Sequence, residues 1–253
     1  MSRKAAIVVT RIAVIVAAIA ALEILCRVKL ISPLTLIPPS QMVAVLWELL
    51  VSGKITDDIV QTFSTVALAF LLSVAAGFAL GALIHALPRL RRALDPLLAS
   101  YYAIPFFVFY PLLIALFGLN KIPLVVIGLV FATAAMVIAT LNGLDRVPRV
   151  MQKTARVMRL SGARAVLAIT LPSAAPYLFT GLKLALAYAF IGVIAGEFIL
   201  SGGGLGFSIA YAYNNFDSQT MYALMLFVLL VVTVVNGVLH VIEQRMLARR
   251  AGR

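Results

Sequence analysis

Few residues in this 253-residue chain could do chemistry. Lys183 and Glu197 both fall inside one apolar run, about four helical turns apart. An ionisable group in such a run is unfavourable to bury and is a functional candidate by default. General acid–base catalysis needs convergent groups, and no second acid stands beside either residue in the apolar runs. A structural alternative is open to both: Lys183 can snorkel, and Glu197 sits near the end of its run. Cys26 is the single cysteine, which excludes an internal disulfide and a multi-cysteine metal site. His85 and His240 lie far apart in sequence, so a histidine metal site has no support. No catalytic residue and no metal are expected. The remaining candidates are aromatic: Tyr101, Tyr102, Phe106 and Tyr110 surround Pro105 and Pro111 in one segment. Proline breaks a helical hydrogen-bond ladder, and broken helices at membrane depth often line a cavity. Tyr102, Pro105, Phe106, Tyr110 and Glu197 are therefore the candidate pathway residues, with an aromatic packing core as the alternative for Tyr101, Tyr102, Phe106 and Tyr110.

The elements that must position these residues follow from composition. The chain is 63% hydrophobic and 12% charged, with mean hydropathy +1.09. A soluble domain of this length could not cover so much apolar surface, so the bulk belongs in a bilayer. Apolar runs near Ile12–Leu25, Ile59–Leu87, Leu97–Phe117, Pro123–Gly143, Ala174–Leu200 and Met221–Ile242 predict six membrane helices. They are far too long for barrel strands, and the fold class is all-α. The first run is short unless it extends back past Arg11. It follows a basic start as a signal peptide does, but no small-residue cleavage site comes after it, so a retained helix is expected.

The net charge of +12 would suggest nucleic acid if it were not topological. With both termini inside, sixteen of the 21 lysines and arginines fall on the inner side. The acids lean outward. The basic balance is then orientation in the membrane, and nucleic acid is not an expected partner. Between the first two runs, Met42, Val45, Leu46, Leu49 and Leu50 recur at helical spacing after Pro39 and before Gly53. This predicts a short amphipathic helix at the outer surface, acting as a lid. Gly77 and Gly81 make a small-x-x-x-small face for close helix packing. No internal repeat is evident, and residues 1–253 are expected to be one domain.

The most polar long stretch is "LNGLDRVPRVMQKTARVMRLSGARAVLAITLP", Leu141 to Pro172. Apolar Val150, Met151, Ala155, Met158, Leu167 and Ile169 alternate there with basic residues, and Ser161-Gly162 breaks the pattern. The spacing predicts two short helices with a turn between them. Such an elbow could contact lipid headgroups, be a solvated loop, or dock a partner.

At these residues the chain resembles the membrane permeases of bacterial ABC importers, particularly the sulfonate/nitrate/taurine-type group. That family's coupling loop has an E-A-A-x-x-x-G-x9-I-x-L-P pattern. Ala155 matches its second alanine, and Ile169, Leu171 and Pro172 match its end. "LIPPSQMVAVLWELLVSGKITDDIVQT", "LDPLLASYYAIPFFVFYPLLIALFG" and "GEFILSGGGLGF" resemble three further stretches of the group, in order. The departures are Lys153 for glutamate, Thr154 for the first alanine and Arg159 for glycine. All three permit helix, so the fold of the loop is expected to survive while the partner surface changes. Thr65 and Tyr102 stand where related permeases often carry arginine, which weighs against a small inorganic anion as solute.

The resemblance implies a type I ABC importer permease of six helices in the bacterial inner (cell) membrane, with cytoplasmic termini and a cytoplasmic coupling loop at about 145–172. Ala155, Arg156, Met158, Arg159, Leu160, Ser161, Gly162, Leu171 and Pro172 would meet a cytoplasmic ABC ATPase dimer. A second permease copy or a homologue would complete the pathway, and a periplasmic or extracellular solute-binding protein would deliver the solute. Membrane lipid would surround the assembly. The implied solute is a small organic anion, sulfonate-like. ATP and magnesium would be bound by the ATPase: "LSGAR" resembles an ATPase signature, but the chain has no G-x-x-x-x-G-K-[ST] loop to cradle phosphates. "GGGLG", Gly202 to Gly206, has no preceding strand and is expected to be a tight turn. The rival reading is an energy-independent six-helix channel or carrier.

Overall fold

The structure is a computed structural model that describes residues 3–251, apart from 33, 34, 102, 103 and 161. Its elements in chain order are α1 (Arg3–Arg27), α2 (Pro39–Val51), α3 (Thr56–Ala86) and α4 (Pro88–Ser100), then a 3-10 turn (Phe106–Phe109). There follow α5 (Tyr110–Phe117), α6 (Lys121–Asp145), α7 (Arg149–Val157), α8 (Gly162–Ala165), α9 (Leu171–Leu200), α10 (Leu205–Asn214) and α11 (Ser218–Ala251). The described residues contain helices and no strand, as the all-α expectation requires.

Among the described residues five helices are long and apolar enough to cross a membrane: Val9–Arg27, Thr56–Ala86, Lys121–Asp145, Val166–Ile199 and Ser218–Arg245. The first does extend back past Arg11. The expected third span, Leu97–Phe117, is not a single helix, and the count of six is corrected to five long helices and one broken segment. α4 ends at Ser100, and α5 has only 8 residues. The prolines account for the break. Pro105 has no N–H, and Ile104 before it is disfavoured in helix; Pro111 then fits the first turn of α5, where no N–H is needed.

The core is the packing of α3 and α9 on α6. Val66 and Ala69 of α3, Ala132 and Met136 of α6, and Ala185, Ala189 and Val193 of α9 form one buried cluster. Small residues set the spacing. A Cβ at Gly77 would lie 2.6 Å from the Met136 side chain, and one at Gly81 would lie 2.7 Å from that of Thr140. The small-x-x-x-small face therefore meets α6, where close approach takes the place of side-chain interdigitation.

α11 is peripheral, with Leu229, Leu230, Val234 and Val238 exposed. α2 lies against it and buries Met42 and Leu46. Lys183 of α9 makes an ion pair with Glu243 of α11 at 2.5 Å. Glu243 stands one residue beyond the expected last span, which is why the lysine looked solitary in the sequence. Removing either partner would leave the other charge half-buried and unpaired.

Candidate functional site

The elbow between α6 and α9 is built on a clamped base. Asp145, the last residue of α6, accepts two hydrogen bonds from the Arg91 guanidinium of α4. The Asp145 carboxylate raises Arg91 above its ordinary value. His85 of α3 places Nδ1 3.1 Å from the same carboxylate. Arg146 Nη1 donates to the Tyr177 hydroxyl of α9 at 3.3 Å, and the guanidinium lies 5.3 Å from the centre of that ring. Three core helices are thus tied together where the elbow leaves them.

α7 then runs to Val157 and ends in a left-handed turn. Leu160 N–H reaches back to the Ala155 carbonyl at 2.8 Å, with Arg159 between them at φ +50°. This is the Schellman arrangement, whose left-handed residue is usually glycine. The geometry gives the family pattern's glycine a backbone reason, since the position is left-handed and not helical. Arg159 holds the same turn against an intrinsic preference of about 1 kcal/mol. Arg159→Gly is therefore expected to stabilise the elbow by roughly that amount, read as a small rise in melting temperature and slower proteolysis after Arg156.

The return limb starts at α8, and its ladder widens to i→i−5 bonds over Val166–Thr170. Pro172 cannot donate, and the Leu171 N–H pairs instead with the Val166 carbonyl. Ala155 is buried, Leu160 and Leu171 are half-buried, and Gly162 at φ +52° and Pro172 are exposed. Val157, Met158 and Leu167 project as an apolar crest, 83%, 63% and 65% exposed. Ser161 and the Arg156 side chain lie outside the described residues.

At the opposite end of the core, Glu197 is completely buried. Its Oε2 accepts the Gly206 N–H at 3.0 Å, and the Thr62 hydroxyl of α3 lies 2.9 and 2.8 Å from its two oxygens. Thr62 Oγ1 also accepts the Leu205 N–H at 2.8 Å. Asp58 accepts the Gly204 N–H at 2.9 Å and a bond from the Ser208 hydroxyl. The start of α10, whose N–H groups have no intrahelical partners, is thereby capped from α3 and α9. Gly204 has φ +98°, and a Cβ there would lie 2.4 Å from the Glu197 carboxyl carbon. "GGGLG" is thus a turn wrapped round a carboxylate.

The aromatic segment docks on α6. Phe106 stacks against Tyr101 at 4.7 Å and meets Phe131 edge-on at 5.8 Å, and the Tyr101 hydroxyl donates to the Val130 carbonyl. Pro105 is exposed, whereas Tyr110 is buried beside Gly196. Tyr110 also lines a cavity of about 240 Å³ with Gln61, Asn120, Lys121, Leu124 and Ser201. Tyr102 lies outside the described residues. Of the five candidate pathway residues, Tyr110 and Glu197 come together near one end of α9, while Phe106 packs lower on α6. Sequence reasoning passed over Thr62, Asp58, Gln61 and Lys121. The polar spacing of Asp58, Gln61, Thr62 and Thr65 on an apolar helix was the available signal. Among the described residues no cluster of histidine, cysteine, aspartate or glutamate could hold a metal ion.

An α3–α6–α9 core of membrane-spanning length with an exposed elbow beside it is a helical membrane protein, and the comparisons give its family. Residues 73–248 match the model of the binding-protein-dependent transport system inner membrane component. The chain belongs to that family. It is 30% identical over 216 residues to the nitrate import permease protein NrtB of Leptolyngbya laminosa, across 82% of this chain and 77% of the relative. It is 25% identical to the putative aliphatic sulfonates transport permease protein SsuC of Bacillus subtilis, across 92% and 84%. In fold it is similar to a chain of the MetNI methionine ABC transporter in an inward-facing conformation, with TM-score 0.64 and 19% identity, covering 76% of this chain and 95% of that one. The chain is an inner-membrane permease component, and the ATP hydrolysis that drives such transport takes place on separate subunits.

Proposed function

We propose that this permease forms half of the solute pathway of an ATP-driven importer and that its 145–172 loop docks on a cytoplasmic ABC ATPase dimer. The loop face is cytoplasmic and holds both termini. A second permease copy or a homologue completes the pathway, and a periplasmic or extracellular binding protein delivers solute at the Glu197 end. ATP and magnesium are held by the ATPase. Residues 1–253 act as one domain. The solute is a small organic anion, in keeping with relatives named for nitrate and for aliphatic sulfonates.

The apolar crest carries this reading. Val157, Met158 and Leu167 project from an elbow whose base is bonded to α3, α4 and α9. A solvated loop would have no reason to display such a crest, and headgroup contact would use the arginines alone. A rigid two-helix contact is what transmits a rigid-body change between subunits. The test is co-purification of the tagged chain with the proteins of its own operon, followed by ATPase assay in lipid vesicles. An ATPase whose activity rises on addition of the binding protein is the expected recovery. Recovery of the intact chain alone would put the channel or carrier first.

A further inference from the structure

The geometry points to an anion-binding bowl at the end of the core remote from the elbow, formed by Lys121, Gln61 and the Tyr110 hydroxyl. The bowl is the cavity of about 240 Å³ that opens between the starts of α3 and α6 and the end of α9. Its polar lining divides into two sets. Asn120 and Ser201 are already engaged: Asn120 donates to the Phe117 carbonyl and accepts the Ile122 N–H, and Ser201 exchanges bonds with Gly203. The side chains of Lys121, Gln61 and Tyr110 have no hydrogen-bond partner among the described residues, and Tyr110 is only 1% exposed. The Tyr110 side chain is buried but lines the cavity, where its hydroxyl can meet water or ligand.

The unengaged set is one of donors. An ammonium, a carboxamide N–H and a phenol O–H converge on a space that no carboxylate lines. The acids at this end of the core are engaged by other groups, Glu197 by Thr62 and Gly206 and Asp58 by Gly204 and Ser208, with Glu197 still within electrostatic reach of Lys121 and Tyr110. A cation entering the bowl would meet the Lys121 charge and find only neutral acceptors. An oxyanion would meet three donors and the positive end of the 25-residue helix α6, which starts at Lys121. The ligand class is therefore a small oxyanion, carboxylate or sulfonate, held at the point where a solute enters the core. The inference rests on the permease reading for its role, and on the bowl's own donors for its chemistry.

The experiment is direct titration of the purified full-length chain, with and without its ATPase, by sodium ethanesulfonate and sodium nitrate. Sodium chloride serves as the ionic-strength control and choline chloride as the cation control. Binding is followed by tyrosine and tryptophan fluorescence and by the shift in melting temperature. Saturable millimolar binding of an oxyanion, absent for choline, is expected. Lys121→Gln and Tyr110→Phe should each weaken it about tenfold, one charge-assisted or buried hydrogen bond apiece, with the unliganded melting temperature unchanged. Both variants remove an atom group that has no hydrogen-bond partner among the described residues, so neither should disturb folding. Equal affinity in wild type and both variants, stronger binding of choline, or no saturable oxyanion binding by the wild type would each overturn the assignment. Because the readout needs no ATPase, these outcomes are separate from loss of the importer reading.

Discussion

Glu197→Ala should unfold the far end of the core, lowering stability by about 3–5 kcal/mol and the melting temperature of the solubilised chain by roughly 10 °C. The substitution leaves the Gly206 N–H and the Thr62 hydroxyl buried without their acceptor, each a loss of about 1–3 kcal/mol. It also leaves a void where the carboxyethyl group stood, because Gly204 and Gly206 are fitted against it. Glu197→Gln separates bonding from charge. Its amide oxygen can still accept from Gly206, and its NH2 can donate to Thr62 Oγ1, so most of the stability should return. Gly204→Ala should reproduce the loss from the other side, since its Cβ would lie 2.4 Å from the Glu197 carboxyl carbon at a φ of +98°. Thermal melts of the three variants decide the matter. An alanine variant as stable as wild type would show that α10 needs no capping from α9.

What the sequence made legible was whatever periodicity and charge encode. The long helices, α2 and the elbow are apolar patterns of the right length, and Gly77 and Gly81 announce close packing by their spacing. The Glu197 end was legible only as a lone acid followed by glycines. Its partner Thr62 lies 135 residues earlier, and no local rule joins the two. Lys183 had the same difficulty, because Glu243 is 60 residues away and just past an apolar run. The third span failed for a different reason. Hydropathy sees Leu97 to Phe117 as continuous, whereas the backbone responds to the missing N–H of Pro105. Arg159 was legible as a departure from a pattern, but the left-handed turn that explains the pattern's glycine is a property of φ, which composition does not carry.

Met158→Glu with Leu160→Glu should abolish co-purification of the ATPase while the chain still inserts and keeps its melting temperature. An apolar anchor at the centre of a protein contact is worth roughly 2 kcal/mol or more, and two buried carboxylates would weaken docking by about a thousandfold. The fold should tolerate the change because α7 stands outside the α3–α6–α9 core, with Met158 63% exposed. Leu160 is half-buried, so Met158→Glu alone is the control: it should weaken association by tenfold or more with no effect on the fold. The clamp at the base offers a contrast. Arg91→Ala leaves the crest unchanged but frees Asp145, and it should uncouple ATP hydrolysis from transport while leaving the ATPase bound. Pull-down yield and ATP turned over per solute moved distinguish the two effects. Retention of the ATPase by the double variant would remove the elbow as the docking site and leave the anion-binding bowl without an engine.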